Sequence, residues 1–370
     1  MPRLHASNPP VWALVLVAVA GAALVLGWND GDRKSALGKK RSADEPVALQ
    51  YIRAREPERG RDAVTPWHIP WRGWKDVFWR TYEEIARDRL LAIAAGTVFY
   101  GLLALVPAIT AFVSFYGLFA TPSTINQHLT LLSDVLPGGG LDILQEQVTR
   151  IASKSDGKLG FGFIFGLSLA LWSANAGMKA IIDALNIVYE EDEKRGIIKL
   201  NLVSFAFTLS AIAALLLAVA AIVVFPLLLA AFGLESITAK SISILRWPLL
   251  ALMVMIGLAL LYRYGPSRLE PRWQWVSVGS VLATAAWLAG SALLSWYLSS
   301  IANYNATYGS LGAVIGLMTW MWMSSIVVLF GAELNSEIEH QTARDSTVGP
   351  EKPLGARQAT MADTVGAAQA

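Results

Sequence analysis

Cysteine is absent from this sequence. That absence removes disulfides, thiolate nucleophiles and Cys-based zinc or iron–sulfur sites, and it leaves the redox compartment unmarked. Histidine is almost as scarce. His5, His68, His128 and His340 lie far apart, and none has a second histidine at the i+3 or i+4 spacing of a helical metal site. Charge is sparse as well, with 16% of residues charged against 54% hydrophobic. A soluble chain of this size could not hide so much apolar surface in one core. Walker A, G-x-S-x-G and H-E-x-x-H patterns are missing, so none of the phosphate-binding, hydrolase or metalloprotease sites they encode is expected. No enzyme activity, cofactor or metal is expected from these residues.

What the chain does contain is long uncharged runs. Residues 91–119, 159–178, 202–232, 273–301 and 306–332 carry no charge, and about 20 apolar residues suffice to cross a bilayer. A shorter run, 247–262, reaches that length if Ser243 to Leu245 join it and Arg246 snorkels to the interface. Val11–Trp28 is a seventh candidate. It reads as an uncleaved anchor and not a signal peptide, because Arg33, Lys34, Lys39, Lys40 and Arg41 follow it while only Arg3 precedes it. The expected fold is all-α: a polytopic transmembrane bundle with a six-helix core, an extra N-terminal span and interfacial amphipathic helices.

Basic residues set the orientation. They concentrate in 30–90, 188–200, 263–272 and the tail after 333, while 302–305 has none and 233–243 only Lys240. The signs alternate span by span, which places the N-terminus outside and the C-terminus in the cytoplasm. Four segments follow: an anchor over 1–28, a charged flexible linker over 29–66, a membrane domain over 67–340 and a disordered tail over 341–370. The linker is no nucleic-acid arm, since nine Lys/Arg are met by seven Asp/Glu across 30–62. No nucleic-acid partner is expected.

Trp71, Trp74, Phe78, Tyr82 and Ile85 recur at helical spacing among Arg72, Arg80 and Arg87, which reads as a helix lying in the membrane interface. Ile125, Leu129, Leu132 and Leu136, then Leu141, Leu144, Val148 and Ile151, suggest two short amphipathic helices in the 120–158 loop. Pro107 and Pro226 are the natural kinks, and Gly162-x-x-x-Gly166 and Gly312-x-x-x-Gly316 are candidate close helix contacts.

Polar groups inside a span are costly, so each is a candidate for function. Ser168, Trp172, Asn175, Lys179, Asp183 and Asn186 are spaced four, three, four, four and three apart, a single stripe on one helix. Glu333 and Asn335 close the last run at the same side of the membrane, where Lys179 or Arg195 could neutralise Glu333, and Tyr100 could add a hydroxyl. Two readings stay open. The candidate substrate-binding set is Tyr100, Asn175, Lys179, Asp183, Asn186, Glu333 and Asn335, lining a hydrophilic cavity. The alternative is interhelical hydrogen bonding with no substrate at all.

Three stretches carry a resemblance. Ala94-Ala95-Gly96 through Tyr100 and Pro107 is the first. The second is Leu171-Trp172-Ser173-Ala174-Asn175, running on to Ala184-Leu185-Asn186-Ile187-Val188-Tyr189 and Arg195. The third is Tyr308-Gly309-Ser310-Leu311-Gly312-Ala313 with Gly331-Ala332-Glu333-Leu334-Asn335. Over roughly 70–340 the chain resembles the YihY/BrkB family of bacterial multi-pass inner-membrane proteins. The resemblance implies a six-helix core and three competing activities: an old ribonuclease label, a virulence link and a suspected role in envelope or lipid transport. The expected function is handling of a polar or lipid-like substrate, with a membrane-bound ribonuclease and a structural scaffold as alternatives. The bilayer, an amphiphilic substrate and a second copy of the chain are the partners it allows.

Overall fold

Uncharged runs fold as long helices because a helix satisfies every backbone polar group internally, as a hydrocarbon environment demands. The computed structural model describes residues 42–116, 159–219, 238–300 and 311–369. It divides the chain into Met1–Asp44 and Glu45–Ala370, and the account below concerns the second unit. Its elements are α1 (Val47–Arg53), α2 (Trp71–Arg87), α3 (Leu90–Tyr116), α4 (Leu159–Val188), α5 (Ile197–Val219), α6 (Thr238–Tyr264), α7 (Trp273–Ser300), α8 (Leu311–His340) and the short α9 (Thr360–Asp363). Among the described residues the only β-type pairing is an isolated bridge between Pro271 and Thr347.

Five of these helices, α4 to α8, are long and apolar enough to cross a membrane. The sixth, α3, has 27 residues and no charge, about 40 Å at 1.5 Å per residue. It continues through Pro107. α6 begins at Thr238, so it takes in Ser243 to Arg246 and runs through Pro248. Each of α3 to α8 packs against its neighbour in sequence, and α8 packs back on α3 and α4. Leu202, Leu215, Leu217, Leu249, Ile256 and Leu293 stay exposed on the outside of this ring. In water that would be an aggregation surface, whereas in a bilayer it is the solvated face. The anchor over 11–28, the two loop helices over 120–158 and Pro226 lie outside the described residues.

The main core cluster joins Leu90 and Ala94 of α3, Ala184, Leu185 and Val188 of α4, Leu258, Leu261 and Tyr262 of α6, Val276 and Ala283 of α7, and Leu329 and Ala332 of α8. It lies at one end of the bundle, the end where α8 finishes. The tightest crossing is there too. A Cβ on Gly279 of α7 would collide with the Gly331 carbonyl oxygen of α8, and one on Gly331 would lie 2.5 Å from the Tyr262 hydroxyl and 2.7 Å from Ala283 Cβ. By contrast, Gly316 leaves ordinary contact room, with Leu298 Cδ1 3.6 Å from its would-be Cβ. The close approach thus sits at a glycine pair the spacing motifs did not single out.

Two expectations change. Residues 45–62 are no loose linker, and 341–369 are no loose tail. Arg61 is buried and donates to Gln341 O (3.1 Å) and Gly366 O (2.7 Å). Met361 joins the core cluster, and Ala362 and Val365 are buried. The physical reason is the end of α8, where residues 331–342 are all buried. A helix end carrying Glu333, Glu337 and Glu339 cannot be buried without counter-charges and donors, and those two flanking segments bring them. α2 adds a third wall. Its Trp71, Phe78, Trp79 and Tyr82 are exposed while Asp76, Val77, Arg80 and Thr81 are buried, so its aromatic side faces outward and Arg80, one of the polar positions between the aromatics, faces protein.

Candidate functional site

The seven candidate residues divide into two groups. Tyr100, Asn175, Lys179 and Asp183 sit on α3 and α4 within the bundle. Asn186, Glu333 and Asn335 belong to the charged end just described, which we call the cap.

In the first group, Gly177 points α4 at α3, since a Cβ there would lie 3.8 Å from Tyr100 Cβ. Asn175 and Lys179, two positions to either side, are therefore turned about 160° from that contact. Tyr100 is consequently not part of the same face, although its hydroxyl lies within Coulombic reach of Asp183. Asn175 is 4% exposed, and its Oδ1 accepts no hydrogen bond among the described residues. Lys179, one turn on, is half-buried. It forms no ion pair among the described residues, with Asp183 or with Glu333. Lys179 is nine residues, about 13 Å along the axis, from the end of α4 at Val188. Trp172 and Ser168 continue the stripe on an exposed face.

The second group is stitched into backbone. Asn186 Oδ1 accepts from Ser267 N (2.7 Å), and its Nδ2 donates to Glu193 Oε2 (3.0 Å). Arg195 grips the same Glu193 through Nε and Nη2, each at 2.7 Å, so it does not neutralise Glu333. Burial alone would push the Glu193 carboxyl up, but the bonds from Arg195 and Asn186 outweigh it and hold the group below its ordinary value. Asn335 Oδ1 accepts from Gly279 N (2.7 Å), and its Nδ2 donates to Val276 O (3.2 Å). Both asparagines splice loops or helices together and face no open space. Glu333 is 1% exposed beneath them.

Sequence spacing missed most of the cap. Arg80 Nε pairs with Glu337, and Arg80 Nη2 donates to Gln341 Oε1 at 2.8 Å. Arg268 Nη2 lies 2.6 Å from Glu339 Oε1 with both side chains enclosed, and its guanidinium also covers the Tyr189 ring at 5.0 Å. His340 Nδ1 is 3.6 Å from Glu337 Oε2. Arg357 donates to the carbonyls of Lys352, Arg344, Ala362 and Ala343. A surface cavity of about 500 Å³ beside it is lined by Arg61, Asp62, Arg344, Glu351 and Lys352 among others. Its two most buried cations already spend their donors, Arg61 on Glu56 and backbone carbonyls and Arg357 on backbone carbonyls. Among the described residues no group of three acidic or histidine side chains is placed to hold a metal.

The family model for virulence factor BrkB aligns with residues 81–355. The chain belongs to the BrkB family. Its curated relatives include the putative ribonuclease-like protein YfkH of Bacillus subtilis, 31% identical over 58% of this chain and 78% of that protein. A UPF0761 membrane protein of Rhodospirillum centenum is 29% identical over 73% of this chain. Another, from Methylibium petroleiphilum, is 25% identical over 70%. The chain spans only 59% and 61% of the length of those two relatives. No solved structure matches. The family match takes in α2 from Thr81, the long helices α3 to α8 and part of the segment after α8, so the α8 end of the cap lies within the matched region, while residues 45–80 and 356–369 that pack on it lie outside. It is a multi-pass membrane protein.

Proposed function

We propose that this protein binds and moves a polar or amphiphilic molecule of the bacterial envelope along the Asn175–Lys179 face of α4. The observation that carries this reading is a lysine inside a membrane-spanning helix with no counter-ion among the described residues. A charge at that depth is expensive unless something compensates it. A transient anionic group, such as a lipid phosphate, would do so, and the buried Asn175 amide one turn away would add hydrogen-bonding capacity. Asp183, one turn on from Lys179, extends the polar path toward the cap. Asn186, Glu333 and Asn335 pass from candidate substrate ligands to support.

The experiment is flux of a fluorescent anionic phospholipid across proteoliposomes containing the purified chain. Lys179→Ala and Asn175→Ala are expected to lower the chain-dependent flux at least tenfold while thermal stability holds. Asn335→Ala is expected to do the reverse, since it leaves the Gly279 and Val276 backbone groups short of a partner at a cost of about 1–3 kcal/mol. Flux unaffected by Lys179→Ala would overturn the assignment and favour a scaffold. The ribonuclease reading draws only on the name of the Bacillus relative, and chain-dependent cleavage of RNA with added divalent metal would establish it instead.

The same reading puts the cap in the cytoplasm of the inner membrane, because the cap gathers the Lys- and Arg-rich segments. Reporter fusions after Arg195 and Arg268 should then signal cytoplasm and a fusion at Asn303 the periplasm. Periplasmic signal after Arg268 would reverse the topology.

A further inference from the structure

Residues 365–369 cross the cap without regular secondary structure, and four arginines hold them by backbone alone. Arg53 Nη1 donates to Val365 O (3.0 Å), Arg61 Nη2 to Gly366 O (2.7 Å), Arg80 Nη1 to Ala367 O (3.0 Å) and Arg59 Nη1 to Gln369 O (3.2 Å). The segment's own amides are matched as well. Val365 N donates to Gln50 Oε1 (2.6 Å), Gly366 N to His340 O (2.8 Å) and Gln369 N to Asp76 Oδ1 (2.9 Å).

Each arginine is also paired with a carboxylate: Arg53 with Glu45, Arg59 with Asp76, Arg61 with Glu56 and Arg80 with Glu337. The groove is therefore close to neutral and is built to read peptide carbonyls, not a phosphate or an acidic partner. One position reads a side chain. A Cβ on Gly366 would lie 2.5 Å from Arg80 Cζ, 2.7 Å from Nε and 2.9 Å from Nη2, and that guanidinium is pinned by Glu337 and Gln341.

We propose that residues 50–80, with the end of α8, form a binding groove for an extended, small-residue peptide that has glycine opposite Arg80. In this structure the groove is filled by the chain's own 365–369. That segment acts as an exchangeable latch, clasping α1, α2 and the intervening loop onto α8. Recognition through main-chain groups plus one steric checkpoint is how extended peptides are held elsewhere. Because ligand and groove belong to one chain, a competing strand must overcome a high effective concentration.

The test uses the full chain in nanodiscs, and the absence of cysteine makes it direct. Ala368 is exposed, so Ala368→Cys accepts a nitroxide label as the sole thiol, and its mobility is read by electron paramagnetic resonance. The label is expected to be restrained at first. Adding a synthetic peptide with the sequence of residues 364–369 at millimolar concentration should convert it saturably to a mobile population. The same peptide with valine in place of glycine should need at least tenfold more. A label that is mobile from the start, one that no peptide concentration releases, or equal potency of the two peptides would each overturn the proposal.

Discussion

Replacing Glu337 with alanine is expected to destabilise the bundle by about 3–5 kcal/mol, the range for removing one partner of an enclosed ion pair. Both side chains of the Arg80–Glu337 pair are nearly fully enclosed, at 7% and 3% exposed. Without Glu337 the Arg80 guanidinium keeps Gln341 Oε1 and Ala367 O as acceptors but has no counter-charge. His340, 3.6 Å from the same carboxylate, loses its neighbour too. The paired change Arg80→Met with Glu337→Leu should recover most of the loss, because two apolar groups of similar volume need no solvation. Thermal unfolding of the detergent-solubilised protein, followed by far-UV circular dichroism, measures both. If the single and the double variants melt together, the ion pair is not what holds the cap.

Gly279→Val is expected to have an effect of similar size by a different route. Its Cβ would enter the Gly331 carbonyl oxygen and come within 2.5 Å of Asn335 Cγ, so α7 and α8 would have to separate. Overpacking of this kind costs about 1–3 kcal/mol. Here separation also breaks the hydrogen bonds between Asn335 and the α7 backbone, adding about 1 kcal/mol or more for each group left buried and unpaired. Gly316→Val on α8 is the control, since the nearest neighbour leaves it ordinary contact room. Membrane yield and melting temperature of the two variants should differ clearly. Equal tolerance at both positions would mean that α7 and α8 do not cross where Gly279 and Gly331 meet.

The spans were legible because hydropathy is a local property. Residues 273–301 and 306–332 announce themselves whatever they pack against, and even the truncated run 247–262 could be extended to its helix. The candidate site was legible only in part. Lys179 and Asn175 could be found because a polar group in an apolar run is conspicuous on its own. The role of Asn186 depends on Ser267, 81 positions away, and that of Asn335 on Gly279, 56 positions away. No spacing rule reaches that far. The cap was misread for a related reason. Segments rich in Arg, Glu and Gly have the composition of disordered chain, and composition cannot see that Arg59, Arg61 and Arg80 have carbonyls waiting for them at the far end of the sequence.

That arrangement fixes an order of assembly. Gln50 meets Val365 across 315 positions, so the contact cannot form until residue 365 has been made, long after the first helices have entered the bilayer. Throughout that interval Arg53, Arg59, Arg61 and Arg80 have left the ribosome without the carbonyls they will bind. Contacts of such wide separation are slow to close and leave their halves open in the meantime. A ribosome that stalls before residue 365 would leave the membrane helices inserted and the cap unfastened. That exposed end is a surface by which quality-control proteases could tell an unfastened molecule from a fastened one.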